Sequence, residues 1–292
     1  MLKSAEERLT GLKTFFITPD IATVSEAFIE LAFLHGYETY VVLDEHSKET
    51  FEKVEAILRS FKEVIIFFSI QTIEEVPILV SKITKLQAEF GEFIRLGVLY
   101  KNIHSKEVSD AIKKTFLFYV GITCGCIPMG FSAPKNQQLL LDVLHVNEAE
   151  GRRKSLRLLC PDKFSMNVAF NSISYEATLY DMSVSHFSCT FSRTGPDIDA
   201  GVNLHRIQLK LGGILCMVDA RLALKRIVNK KLMYVFVFRK PDGKDGLDSA
   251  MKAKLNAMIC KYYQAGIAET LTEVYAAAPA ARQTDNKNPA IG

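Results

Sequence analysis

The sequence predicts two domains: a doubly wound α/β domain, followed by a small antiparallel β-barrel with a C-terminal helix. Two patterns predict this order. Continuous apolar runs alternate with helix-spaced segments in the first half, and apolar and polar residues alternate with period two in the second. The chain has 292 residues, more than one average domain. Its 48% hydrophobic and 24% charged residues exclude collagen, coiled coil and wholesale disorder.

Five β/α units fill the first half. Strands are expected at 14–18, 39–43, 64–70, 93–100 and 116–123. Helices are expected at 25–34, 48–61, 73–90, 105–114 and 135–149. The run VIIFFSI at 64–70 has almost no polar residue, which is typical of a strand buried on both faces of a parallel sheet.

The second half changes character after Gly151. Alternating segments at 164–170, 175–179, 187–191 and 207–211, then 214–224 and 232–238, predict the strands of an antiparallel barrel or sandwich. Apolar residues at helical spacing over 247–262 predict an amphipathic helix. We therefore expect an α/β domain over 1–134, a linker helix over 135–151, a barrel domain over 152–274 and a disordered tail over 275–292.

Two short segments carry the candidate chemistry. The first is RRKSLR at 152–157, in which four of six residues are basic although the whole chain is only +3. Arginine pairs in a two-pronged fashion with phosphate or with the O6/N7 edge of guanine. The second is YDMSVSH at 180–186, where Asp181 can accept from guanine N–H groups and the hydroxyl of Ser183 can bond a base or a phosphate.

In this order the two segments resemble the PilZ family of cyclic di-GMP (c-di-GMP) receptors. That family carries R-x-x-x-R, then [D/N]-x-S-x-x-G, on a small barrel with a C-terminal helix. Arg153 and Arg157 match the first motif, with Arg152 as an additional arginine, and Asp181 and Ser183 match the second. The resemblance covers about residues 150–265.

The resemblance implies a c-di-GMP-binding signalling effector, with a bacterial second messenger as its ligand. Its ligand-binding residues would be Arg152, Arg153, Arg157, Asp181, Ser183 and His186. Binding would draw the arginine segment onto the barrel, change the arrangement of the domains and act through a protein partner. One position departs from the motif: His186 replaces its last glycine. The alternative is therefore a ligand-independent adaptor with a degenerate PilZ-like barrel.

The first domain resembles the receiver domains of response regulators, which are flavodoxin-like, in its order of elements. The family's phosphorylation residues are missing. Only Asp20 lies near the acidic pair expected after the first strand, and Ser69 or Gln71 stands where the phosphoacceptor aspartate would fall. Instead of lysine and proline after the fifth strand, Pro128 follows Ile127. We expect a pseudo-receiver that serves as an interaction platform, with homodimerisation through this domain left open.

Other function classes have little support. No nucleophile–base pair, metal-ligand spacing, G-x-G-x-x-G or P-loop is present, so we expect no enzyme, cofactor or metal. The weak basicity argues against DNA or RNA. The absence of a secretory signal and of an apolar run of about 18 residues predicts a cytoplasmic protein without membrane insertion. Reduced core thiols are expected at Cys124, Cys126, Cys160, Cys189, Cys216 and Cys260.

Overall fold

The computed structural model describes residues 11–18, 24–43, 49–91, 94–101, 105–192 and 194–284. The chain divides into two compact units. The first comprises Met1–Lys154 together with Tyr263–Gly292, and the second comprises Ser155–Tyr262. Each unit has its own sheet and its own buried core.

The first unit contains a five-stranded parallel sheet in the order β2-β1-β3-β4-β5, which is the flavodoxin-like order. Its strands are β1 (Lys13–Ile17), β2 (Thr39–Val42), β3 (Val64–Ile70), β4 (Ile94–Lys101) and β5 (Cys126–Met129). In β3, six of the seven residues are buried, as the unbroken apolar run VIIFFSI predicts. The predicted doubly wound α/β fold is therefore confirmed.

Five helices accompany this sheet. They are α1 (Glu26–Leu34), α2 (Glu49–Ser60), α3 (Glu75–Phe90), α4 (Lys106–Lys114) and α5 (Ala133–Val146). Two of them have serine N-caps: the hydroxyls of Ser25 and Ser105 accept from the third backbone N–H beyond them. These caps satisfy helix N–H groups and fix where the helices begin.

The predicted fifth strand at 116–123 is wrong. Thr115–Val120 forms a π-helical segment that continues α4, and the strand comes later, at β5. The reason is the spacing of the buried residues. Phe116 and Val120, four positions apart, pack on the core, whereas Phe118 is 80% exposed. Because the buried residues of this apolar run lie on one face of a helix, the run can bury them without forming a strand.

The predicted linker helix over 135–151 is shorter than expected. Helix α5 ends at Val146, with Asn147 as its cap. Glu148 then takes a positive φ of 52°, which turns the chain out of the helix, and Glu150 forms a β-bridge with Gly11. Residues 147–151 therefore belong to an irregular segment rather than to a helix.

The second unit is a closed antiparallel barrel. Its strands are β6 (Leu158–Leu159), β7 (Ser165–Phe170), β8 (Ile173–Met182), β9 (His186–Phe191), β10 (Asn203–Leu211), β11 (Ile214–Val228) and β12 (Lys231–Arg239). The order β8-β7-β10-β11-β12-β9 closes through a further β8–β9 pairing, and β6 adds to the outside of β8. Four phenylalanines fill the interior: Phe164, Phe187, Phe236 and Phe238. The predicted antiparallel barrel is confirmed.

A long helix, α6 (Ser249–Thr284), follows the barrel. Within the second unit it contributes the buried side chains of Leu255, Met258 and Ile259, as the apolar spacing predicts. The ring of Tyr262 packs edge-on against Phe164, with centroids 5.2 Å apart. The helix also runs through 275–284, the start of the expected disordered tail, and the rest of that tail lies outside the described residues.

Candidate functional site

Asp181 lies where three strands meet at one end of the barrel. It is the second-last residue of β8, and it stands opposite Leu159 of β6 on one side and Ser188 of β9 on the other. A shift in the β8–β9 register just before Asp181 marks an irregularity at this position. Such irregularities re-aim side chains at the rims of barrels. The carboxylate is buried at this junction.

Both oxygens of the Asp181 carboxylate have protein partners. Arg157, which directly precedes β6, places Nη1 3.7 Å from Oδ2. Ser188 donates its hydroxyl to Oδ1 at 2.6 Å. The Arg157 side chain remains 31% exposed, whereas that of Asp181 is only 10% exposed. The Arg157 side chain therefore contacts the carboxylate while part of it remains exposed to solvent.

Ser183 closes the tight turn between β8 and β9. Its backbone N–H donates to the carbonyl of His186 at 2.8 Å, and its hydroxyl accepts from the N–H groups of Ser185 and His186, both at 3.2 Å. The hydroxyl also lies 3.1 Å from Nδ1 of His186. The Ser183 side chain is fully buried. Its first role is therefore to hold the turn.

His186 occupies the position of the motif's final glycine without backbone strain. None of residues 183–186 is among the described residues with positive φ. The turn therefore does not require the conformational freedom that glycine provides. Instead, the half-buried imidazole places Nδ1 2.9 Å from the hydroxyl of Ser185, so the departure from the motif changes the chemistry of the turn rather than its backbone.

The six predicted site residues fall into two groups. Arg157, Asp181, Ser183 and His186 belong to the second unit, where β6, β8 and the following turn bring them together. Arg152 and Arg153 belong to the first unit, in an irregular segment where Arg152 is exposed and Arg153 is half-buried. There the backbone of Arg153 passes close to Gly36: its carbonyl oxygen lies 3.1 Å from the position that a Cβ atom on Gly36 would occupy. The absence of a side chain at Gly36 permits this approach.

Sequence reasoning missed two residues beside Asp181. Ser188 is 1% exposed although it points away from the barrel interior by alternation with Phe187 and Cys189. In the sequence, a serine between an aromatic residue and a cysteine does not indicate a contact with Asp181 unless the strand register is known. The second residue is Cys160, just after β6. Burial of its thiol, followed by the nearby charge of Asp181, raises the thiol pKa to about 12.

The first unit lacks the acidic groups of a phosphorylation site at the described strand ends. Ser69 and Ile70 end β3, and the N–H of Gln71 donates to the carboxylate of Glu75 at 2.9 Å. With β5 now at Cys126–Met129, the residue that follows the strand is Gly130 rather than a lysine. Asp20 lies outside the described residues.

The described residues hold no group of three or more His, Cys, Asp or Glu side chains that could bind a metal ion. No helix in the described ranges is long and apolar enough to cross a membrane. All six cysteines are free thiols; four are buried, and Cys126 and Cys160 are half-buried.

No family model matches the chain, and no curated protein matches it. Solved structures match part of it. Escherichia coli YcgR in complex with c-di-GMP is 15% identical with a TM-score of 0.35, over 41% of this chain and 50% of that one. The PilZ domain of Escherichia coli YcgR with c-di-GMP is 16% identical with a TM-score of 0.31, over 47% and 99%. Bacillus subtilis MotI/DgrA, an inhibitor of motility, is 12% identical with a TM-score of 0.31, over 39% and 52%.

The matched region spans about half of the YcgR and MotI chains. The chain is similar over part of its length to solved structures that include a PilZ domain, the family whose motifs its Arg153/Arg157 and Asp181/Ser183 pairs resemble.

Proposed function

We propose that this protein is a c-di-GMP-binding signalling effector whose ligand binds at Arg157, Asp181 and Ser183. The observation that carries the proposal is the position of the Arg157 guanidinium, 3.7 Å from the Asp181 carboxylate where β6, β8 and β9 meet. The half-exposed arginine offers a cation and a planar set of donors, and the carboxylate beside it offers an acceptor.

These groups match the chemistry of a guanine dinucleotide. A guanidinium binds phosphate oxygens or the O6/N7 edge of guanine through two parallel hydrogen bonds. A carboxylate accepts from the N–H donors on the opposite edge of the base. Arg157 and Asp181 thus supply donors and an acceptor side by side. Ligand binding would exchange part of the Arg157–Asp181 interaction for bonds to the dinucleotide.

The roles of Arg152 and Arg153 rest on the sequence motif. Arg152 is exposed and Arg153 is half-buried, and both stand in the irregular segment that joins the two units. Two further cations there would add charge-assisted bonds to a ligand with two phosphates. Drawing these arginines onto the ligand would order the segment and change the arrangement of the units, with a protein partner as the receiver of that change.

A ligand-independent adaptor is the second candidate, and the turn at 183–186 favours it. The Ser183 hydroxyl is fully buried and already bonded within the turn, and the imidazole of His186 stands where the motif has no side chain. If these contacts persist, the barrel presents a fixed surface and no ligand site.

Thermal unfolding with and without nucleotide distinguishes the two candidates. A ligand that binds only the folded state at about 100 times its dissociation constant stabilises it by about 2.7 kcal/mol, a shift of several degrees. We expect this shift with c-di-GMP, a much smaller one with cyclic di-AMP, and none in Arg153→Ala/Arg157→Ala. No shift in the wild-type protein at saturating c-di-GMP would favour the adaptor.

A further inference from the structure

A two-stranded arm projects from the end of the barrel opposite the candidate site. Strand β11 pairs with β10 only as far as Arg221, and β12 pairs with β9 only as far as Tyr234. Beyond these residues β11 and β12 continue to pair with each other, through Ile227 opposite Leu232 and Val228 opposite Lys231. Met233, opposite Arg226, is still buried, so the free part is the last two pairs, which extend about 7 Å at about 3.3 Å per residue. We refer to residues 224–232 as the 224–232 arm.

The tip of the 224–232 arm is held in a defined shape. Asn229 and Lys230, the two residues between the strands, have φ values of 49° and 64°. Positive φ at both central positions is the signature of a type I′ turn, whose twist matches that of the strands it joins. The side chains at the tip are therefore presented by a regular hairpin.

The arm combines exposed aliphatic side chains with positive charge. Ile227 is 76% exposed and Leu232 is 46% exposed, and as a directly opposed pair they share one face of the hairpin. The arm's sequence is LKRIVNKKL, with four basic residues and no acidic one. Lys225 packs over the Tyr234 ring and lies 4.0 Å from Asp197. Arg226, which also donates to the sulfur of Met233 at 3.5 Å, Lys230 and Lys231 are the other exposed cations of the arm.

This combination fits a lipid surface better than other anionic partners. Single-stranded nucleic acid is bound by stacking on aromatic side chains, and the arm has none. A stable protein interface buries about 800 Å² on each partner, far more than two aliphatic side chains at a narrow tip provide. Interfacial lipid binding needs only a few buried apolar groups together with attraction to anionic headgroups.

We infer that the 224–232 arm docks this protein peripherally onto an anionic lipid surface. Ile227 and Leu232 enter the boundary between headgroups and acyl chains, and Arg226, Lys230 and Lys231 bind the headgroups. The inference does not depend on c-di-GMP binding, because the arm lies at the end of the barrel opposite the turn at 183–186.

Flotation of the full chain with vesicles tests the inference. The vesicles are made of phosphatidylcholine alone or with about 30% phosphatidylglycerol, at low and physiological salt. We expect binding only to the anionic vesicles, weakened by salt. Lys230→Asn/Lys231→Gln, which keeps a residue that tolerates positive φ in the turn, should weaken partitioning about tenfold or more. Ile227→Thr/Leu232→Thr should weaken it to a similar degree while retaining β-propensity.

Matched variants remove similar groups elsewhere on the barrel unit. Leu215→Thr changes an exposed leucine near the start of β11, and Lys252→Gln/Lys254→Gln removes two exposed cations from α6. Both should float like the wild type. The inference is overturned if the wild type ignores anionic vesicles, if it binds neutral vesicles equally well, or if the arm variants float unchanged. Arm-dependent binding to duplex DNA without binding to vesicles would also overturn it.

Discussion

Arg157 and Asp181 face each other at the rim of the barrel, with Nη1 of the arginine 3.7 Å from Oδ2 of the aspartate. The second carboxylate oxygen accepts from Ser188. One residue of the first motif and one residue of the second thus meet in space although 23 positions of chain separate them. The contact joins the residue before β6 to the β8–β9 end of the barrel, so it also has a structural role.

The first prediction concerns stability. Arg157→Ala should lower the free energy of unfolding by about 1 kcal/mol, because it leaves a buried carboxylate with Ser188 as its remaining neutral partner. The partial exposure of Arg157 keeps the loss below that of a fully buried pair. Urea unfolding measures it, with Arg152→Ala as the exposed-arginine control. Equal stability of the two variants would contradict the prediction.

The second prediction concerns alkaline pH. Burial raises the pKa of the Cys124 thiol to about 11 and that of the Cys126 thiol to about 12. Burial, followed by the hydrogen bond to Glu150, raises the pKa of Tyr37 to about 12. For the thiols, the folded state holds its protons at pH values where an unfolded chain, titrating near about 8.5, has lost them.

The contribution of these thiols to the free energy of unfolding should therefore be constant below about pH 8 and fall between about pH 9 and pH 11, by up to about 1.4 kcal/mol per pH unit for each thiol. Denaturant unfolding at a series of pH values measures this slope, and Cys124→Ala should reduce it. A stability that rises with pH over this range would show that the thiols are not held in their neutral form.

The third prediction concerns the histidine in the second motif. In His186→Gly, the Ser183 hydroxyl loses the imidazole 3.1 Å away, which is one of its contacts within the turn, and the ring that fills the motif's glycine position is removed, while the backbone turn remains unstrained. We expect affinity for c-di-GMP to increase about two- to tenfold, the size of one hydrogen bond. His205→Gly, at an exposed position on β10, serves as the control. A loss of affinity in His186→Gly would mean that the imidazole itself binds the ligand.

The fourth prediction concerns the first unit. Its described strand ends lack an acceptor aspartate where β3 ends, at Ser69 and Ile70. Incubation with a small-molecule phosphodonor and Mg²⁺ should therefore leave the intact mass of the protein unchanged, with a functional receiver domain as the positive control. Stable incorporation of phosphate would refute the interpretation as a pseudo-receiver.

The strands that could be predicted from the sequence each have a clear pattern of apolar residues. The unbroken run of β3 and the alternation along β10 and β12 each specify one way to bury apolar side chains. The segment Thr115–Val120 could not be assigned this way. A short apolar run fits a strand or a helix equally, and only the packing of Phe116 and Val120 on the core decides for the helix.

The candidate site was predictable only in part for a similar reason. Residue types at the right spacing indicated Asp181 and Ser183 as candidates, but the partners of these side chains depend on strand register. The register places Ser188 opposite Asp181, and the β8–β9 turn brings His186 onto Ser183. Neither relationship follows from residue order alone, because a shift of one position would turn each side chain to the other face of its strand.

Calorimetric titration of c-di-GMP into the full chain tests the central claim most directly. The matched variants are Arg153→Ala/Arg157→Ala, which removes two motif arginines, and Lys252→Gln/Lys254→Gln, which removes two cations from α6. We predict saturable binding of micromolar affinity or tighter, unchanged in the lysine variant and weakened at least about a hundredfold in the arginine variant. Absence of binding by the wild type, or equal binding by the arginine variant, would contradict the assignment of the site.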